Sequence, residues 1–147
     1  MLQLPKLRLA NEGDGPQVVE VFLASFALLT FLPKVHTQEE TERFFLGEVK
    51  KGGITVAHLD EGIVGFINLS KGWVDHLYIS PQYLRYGIGS QLLKFSQTAQ
   101  SSFKLWCFQE NHRGRQFYEA HNFQAVKFTD GSSNEEKIPD ILYEWRK

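Results

Sequence analysis

The chain has 147 residues, 42% of them hydrophobic and 14% aromatic, with a formal net charge of −1. This length suits one domain over 1–147, which buries roughly two thirds of its unfolded surface without help from a metal or a disulfide, and the hydrophobic share excludes a disordered chain. The near-neutral charge gives no electrostatic reason to expect a nucleic-acid partner, and no apolar run approaches the roughly 18 residues of a membrane span. Cys107 is the single cysteine, so no intrachain disulfide forms and a reducing compartment is natural. With no basic and apolar leader at the N-terminus, a cytoplasmic protein is expected.

Gln3 to Leu9 reads as a short strand. Asp14-Gly15-Pro16-Gln17 then opens a helix with capping-box spacing and an early proline, and Val18, Val19, Phe22, Leu23 and Phe26 give it a core stripe. Thr37 with Glu40 repeats the capping-box signal, so a second helix runs toward Val49 and buries Phe44, Phe45 and Val49. Three apolar strands follow, Gly53 to Leu59, Ile63 to Ser70 and Trp73 to Ile79. The turns Asp60-Glu61-Gly62 and Lys71-Gly72 suit antiparallel hairpins. A helix behind Gly87 and Gly89 presents Ile88, Leu92, Phe95 and Ala99 to the sheet. Phe103 to Phe108 is a strand, and Asn111 and Asn122 bound the next helix as N-terminal and left-handed C-terminal caps. Phe123 to Phe128 pairs with Leu142 to Arg146. The order is β-α-α-β-β-β-α-β-α-β-β, a mixed α/β sheet, and only the loop near Ser132 to Lys137 reads as mobile.

The segment from Leu77 to Leu93, L-Y-I-S-P-Q-Y-L-R-Y-G-I-G-S-Q-L-L, is a strand, a polar turn, a glycine loop and the first turn of a helix. A helix start presents N–H groups without intrahelical partners at the positive end of the macrodipole, which suits a pyrophosphate. Gly87 and Gly89 let the backbone approach an anion closely. A glycine-rich turn with no ligand is the competing reading, since G-x-G alone is a weak signal. A P-loop fits poorly, because Ser90-Gln91 stand where Gly-Lys-Ser/Thr would be. A DNA-binding helix-turn-helix lacks its basic recognition helix.

This segment resembles the acetyl-CoA loop of the GNAT superfamily of N-acetyltransferases, Q/R-x-x-G-x-G/A after a strand. Leu84 stands where Gln or Arg is usual, and Arg85 where many members carry another glycine. The block N-H-R-G-R-Q-F-Y-E-A-H-N-F from Asn111 to Phe123 is similar to the family's N-x-x-A-x-x-F-Y-E-x-x-G-F helix. The C-terminal F-T-D-G-S-S-N-E-E-K-I-P-D-I-L-Y-E-W and the earlier L-P-K-V-H-T-Q-E-E resemble the same superfamily, so the likeness covers nearly the whole chain.

The resemblance implies a GNAT fold whose central sheet splays between the strand before the glycine loop and the strand ending near Phe108. It implies acetyl-CoA as donor of an acetyl group passed directly to a primary amine, for which a small amine is the first reading and an amino-acid derivative, an antibiotic or a protein terminus stays open. Backbone groups of Leu77 and Ile79 would face the cofactor, with the Leu77 N–H holding the thioester carbonyl. Asn111 and Tyr118 complete that side, and Tyr78, also a candidate there, points to the other face of the strand, where core packing is the competing reading. In the loop, Leu84, Arg85, Tyr86 and Gly87 precede the helix start at Ile88, Gly89 and Ser90, where the phosphates would sit. Arg113 and Arg115 are candidates for the nucleotide end. Tyr118 is the candidate proton donor to the departing thiolate. The partner is thus an amine, with no nucleic acid, membrane or metal implied and a homodimer allowed. An acyl-CoA-binding regulatory module without catalysis is the alternative that the Leu84 and Arg85 departures permit.

An amine with pKa near 10.4 must lose a proton before attack. Asp75 and His76 are candidates, on opposite faces of their strand unless a bulge intervenes, and Asp75 is the more suspect because an unpaired carboxylate on a core strand is costly. A salt bridge explains Asp75 equally well. His36 and Glu40 are further candidates, with a water relay the remaining route. His36, Trp73 and His76 are expected on the acceptor side, where Glu39, Glu40, Asp130, Glu135, Glu136 and Asp140 would form an acidic rim favouring a cation. Cys107, between Trp106 and Phe108, reads as a buried inert thiol.

Overall fold

Apolar alternation and hairpin turns bring the strands into one seven-stranded sheet. The computed structural model describes residues 4–147, and Gln3, the expected start of the first strand, lies outside them. Strand β1 is Lys6–Leu9, starting after Pro5, which cannot donate to a ladder. Helices α1 (Gly15–Phe26) and α2 (Gln38–Lys51) follow, then β2 (Ile54–Leu59), β3 (Gly62–Ser70) and β4 (Trp73–Ile79). Helix α3 (Ile88–Gln97), β5 (Ser102–Phe108), α4 (His112–Ala120), β6 (Gln124–Phe128) and β7 (Asp140–Arg146) complete the order expected from the sequence.

The sheet order is β1-β2-β3-β4-β5-β7-β6. Every neighbouring pair is antiparallel except β4 and β5, which are parallel and meet only at Trp73 and Lys104. Beside that pair the Lys104 N–H donates to the Gly72 carbonyl at 2.9 Å. Beyond it the two strands part, which is the splay. Two cores flank it. Phe45 and Val49 of α2 pack with Val18 of α1 and with Ile54 and Phe66 of the sheet, while Ile88 and Leu92 of α3 pack with Phe103 of β5 and Tyr143 of β7.

Local differences from the expected elements have physical causes. The first capping box is Asn11 to Asp14, ahead of α1. The Asp14 carboxylate is held there by the Asn11 N–H at 2.8 Å and by both Arg8 guanidinium nitrogens at 2.7 and 3.0 Å. Gln17, free of a capping role, accepts the Ile63 N–H at 2.9 Å. In α2 only Phe45 and Val49 are buried, and Phe44 is 49% exposed. In α3 the buried face is Ile88, Leu92, Leu93 and Ser96, leaving Phe95 50% exposed. In the loop before β7, whose expected mobility is a separate matter from its contacts, Asn134 Nδ2 donates to the Ile138 carbonyl at 2.7 Å and Lys137 Nζ to the Ser132 carbonyl at 2.9 Å. Among the described residues no helix is long and apolar enough to cross a membrane.

Candidate active site

The first turn of α3 is uncapped by any side chain. Its N-cap is Gly87 at φ +81°, a left-handed conformation that favours glycine, so the following N–H groups open into a cavity of about 460 Å³. Leu84, Gly87, Ile88, Gly89 and Ser90 line it from the loop, with Ile79 from β4. Arg85 and Arg113 supply its positive charge. Arg85 itself sits at φ +71°. Gly89 sits close against α4, where a Cβ would lie 3.3 Å from the Phe117 ring and the ring would have to give by a few tenths of an ångström. These are the features of an anion cradle.

Ser90 contributes less than its position promises. His121 Nδ1 lies 2.8 Å from the Phe117 carbonyl, which only accepts, so Nδ1 donates. In the neutral ring Nε2 then accepts the Ser90 hydroxyl proton at 2.8 Å. Ser90 therefore offers its backbone N–H to the cradle. Arg115 is likewise committed, donating to the Gln109 carbonyl at 3.2 Å.

Strand β4 continues the cradle into the wedge. The Ser80 N–H donates to Val64 of β3 at 2.8 Å, and alternation along a strand turns the Leu77 and Ile79 N–H groups the other way, toward β5. The Ile79 carbonyl already accepts the buried Ser25 hydroxyl at 2.8 Å. Tyr118 on α4 packs against Phe117, Phe123 and Tyr143. Burial, reinforced by Cys107 and Tyr78, pushes its hydroxyl well above the ordinary phenol value. Burial also pushes the Cys107 thiol up to about 12, so the inert-thiol expectation holds.

A second cavity, of about 740 Å³, lies between α1, α2 and β4. Phe22, Phe26, Phe44, Phe45, Tyr78 and Phe108 form its aromatic wall, with His76 among them. Glu40, Glu135, Glu136, Lys34 and His36 also line it. His36 Nε2 pairs with Glu135 at 2.7 Å, and that contact raises its pKa. Glu40 is occupied by the α2 capping box, which lowers its carboxyl below the usual range. Burial pushes the Tyr78 hydroxyl up to about 12.

The acetyltransferase (GNAT) domain family matches residues 50–125. That span contains the cradle, the wedge strands and all of α4. The chain belongs to the GNAT acetyltransferases. An N-acetyltransferase of Escherichia coli K12, YafP, is 30% identical over 130 residues, covering 83% of this chain and 83% of that one. An N-acetyltransferase of Archaeoglobus fulgidus is 23% identical, covering 88% and 99%. The GNAT fold is shared with PaiA N-acetyltransferase of Thermoplasma acidophilum, solved in complex with coenzyme A, at TM-score 0.74 and 18% identity over 99% of this chain and 100% of that one.

Within this GNAT domain the expected site residues separate into groups. Ile79, Leu84, Arg85, Gly87, Ile88, Gly89 and Ser90 meet at the cradle, and His36, His76 and Tyr78 meet at the aromatic cavity. Leu77 and Tyr118 flank the wedge between them. Four candidates stand elsewhere. Asn111 caps α4 by accepting the Gly114 N–H at 3.0 Å, and Tyr86 is exposed beside the cradle. Trp73 lies at the closed end of the wedge and lines neither cavity. Asp75 is exposed on a β4 bulge: Asn68 faces His76 and Leu69 faces Val74, so Asp75 has no opposite number. Sequence reasoning missed Glu48 and Asn68, which hold His76 from α2 and β3, and nothing in their spacing announces them.

Proposed function

We propose that this chain is an acetyl-CoA-dependent N-acetyltransferase that passes an acetyl group directly to a primary amine of a small molecule in a ternary complex. The observation that carries this is that one strand, β4, places Ile79 at an uncapped helix start and His76 and Tyr78 at a second cavity, with its edge toward β5 open beyond Trp73. The donor set fits the group. Main-chain N–H groups at Ile88, Gly89 and Ser90, flanked by Arg85 and Arg113, suit a pyrophosphate. When bound, acetyl-CoA supplies an activated acetyl group and a thiolate leaving group.

The chain's own residues then divide the work. The Leu77 N–H, turned into the wedge, is a fixed donor for a developing oxyanion. Tyr118 stays protonated because burial holds its pKa high, so it offers a proton to a thiolate beside it. No side chain is well suited to take the amine proton. Asp75 is outside the cavity, His36 is drawn toward its charged form by Glu135, and Glu40 is held ionised by its cap. Solvent entering the aromatic cavity past Glu135 and Glu136 takes that role.

The test is thermal unfolding with acetyl-CoA, ATP or NADH at equal concentration. At about 100 times its dissociation constant a ligand adds about 2.7 kcal/mol, a rise of several degrees at this size. A rise with acetyl-CoA alone is expected, and equal rises or none would refute the cofactor. Tyr118→Phe should keep that rise while turnover drops roughly 10²-fold or more. Unchanged turnover would remove Tyr118 from the mechanism.

A further inference from the structure

The second cavity has features that acetyl transfer alone does not require. Its floor is a set of rings: Phe22 stands 4.9 Å from Phe45 and 5.1 Å from Tyr78, centroid to centroid. One polar ring is set among them. His76 meets Phe45 at 5.1 Å, Phe44 at 5.6 Å and Phe22 at 6.3 Å, each close to edge-on. The charges above this floor are mainly acidic, Glu40, Glu135 and Glu136 against Lys34 and the paired His36.

The protonation of His76 follows from its neighbours. Burial pushes the Glu48 carboxyl up, yet Asn68 and Lys51 together hold it below its ordinary value, so it is ionised. A carboxylate only accepts, and Asn68 must therefore turn its NH₂ to Glu48, 3.1 Å away. The same nitrogen lies 3.2 Å from His76 Nδ1, so its second N–H is donated there. With Nδ1 accepting, the neutral ring carries its proton on Nε2. Protonating Nδ1 would set N–H against N–H. Burial already holds the His76 pKa low, against the opposing pull of Asp75 and Glu48.

We propose that this cavity accepts an amine with an aromatic body, and that His76, locked as an Nε2–H donor by Asn68 and Glu48, positions that body and does not act as the base. This rests on the acetyl-transfer function proposed above. The acidic groups draw the ammonium form from solution, whereas the apolar floor favours the neutral form that attacks. An aromatic body gains edge contacts from the ring floor. An aliphatic polyamine would have to lay further charges along it without partners.

The experiment measures thiol release from acetyl-CoA with phenethylamine and tyramine, against putrescine, spermidine and a lysine-containing peptide. The aromatic pair should show kcat/KM at least about tenfold higher, the ratio that roughly 1.4 kcal/mol of ring contact produces. Preference for a polyamine or the peptide overturns the inference. So does the absence of release with aromatic amines in a protein whose melting temperature acetyl-CoA raises, and that outcome leaves the cofactor standing. A missing acetyl-CoA rise overturns both.

His76 is tested separately. His76→Phe should raise KM for tyramine about tenfold, the upper range for one neutral hydrogen bond. His76→Gln, which keeps an N–H near the Nε2 position, should recover most of that loss. Neither variant should lose a limb of the pH–rate profile, and a lost limb would make His76 the base. Nitrogen-15 spectra of the His76 ring, assigned by their loss in His76→Gln, should show the Nε2–H tautomer at pH 7 without any acceptor present. An Nδ1–H tautomer or a charged ring overturns the assignment.

Discussion

Arg85 shows how a single residue separates stability from binding. It occupies a left-handed backbone position, φ +71°, at which a residue with a Cβ is strained by about 1–2 kcal/mol. The same site is where the related loops often carry glycine, so the arginine is kept against the backbone's preference, beside a cavity built for an anion. Arg85→Gly removes both the strain and the charge. Stability should stay level or rise by up to about 1 kcal/mol, because relief of strain is partly offset by the greater freedom of glycine in the unfolded chain. Acetyl-CoA affinity should fall about three- to tenfold, as expected for a partly exposed charge on phosphate. Denaturant unfolding and calorimetric titration of the same variant read the two signs independently. Weaker folding with unchanged affinity would make Arg85 a structural residue only.

At the scale of elements, what could be read locally was read well, and what depends on a partner was not. The α2 start was legible because Thr37 and Glu40 satisfy each other's N–H groups at 3.1 and 2.8 Å within four residues. Which of Phe44 and Phe45 faces the core was not, since adjacent helical residues point about 100° apart and only the sheet beneath chooses between them. The same holds for Leu93 displacing Phe95 from the face of α3. The capping box moved to Asn11 because Asp14 answers to Arg8 on β1, a contact between elements. That contact makes the join of β1 and α1 sensitive to acid. The Arg8 hydrogen bonds lower the Asp14 carboxyl below its ordinary value against the effect of burial, with help from the Asn11 N–H. Its stabilisation is therefore complete above the unfolded carboxyl value near 3.9 and is lost as pH falls through the lower folded value. Asp14→Asn should lower the melting temperature at pH 7 and flatten its decline below about pH 4. A decline as steep as in the parent protein would show that other carboxylates govern the acid limb.

Over the whole molecule the order of strands and helices followed from hydrophobic period and turns, whereas the place where the sheet opens was implied only by family resemblance. No local pattern marks it, because β4 and β5 are both ordinary apolar strands and part only after Trp73 and Lys104. The cradle was legible as a glycine loop, since its chemistry lies within a few consecutive residues. The aromatic cavity was legible only in part: His36, His76, Glu40, Glu135 and Glu136 were expected on the acceptor side and line it, whereas the contacts that hold His76 were not, because Glu48, Asn68 and His76 come from three elements and meet only in the fold. The opening has a dynamic consequence. The Leu77 and Ile79 N–H groups face a gap with no strand bonded across it among the described residues, and the α3 first turn lacks intrahelical acceptors. Such amides exchange with solvent through small fluctuations and without global unfolding. Acetyl-CoA that spans cradle and wedge should slow exchange at Leu77 and Ile79 together with Ile88, Gly89 and Ser90, while β1 at the far edge of the sheet keeps its rate. Slowing confined to α3 would mean that the phosphate end docks and the wedge stays empty. Equal slowing through β1 would mean that binding acts only by raising overall stability, and the open edge of β4 would then have no part in holding the donor.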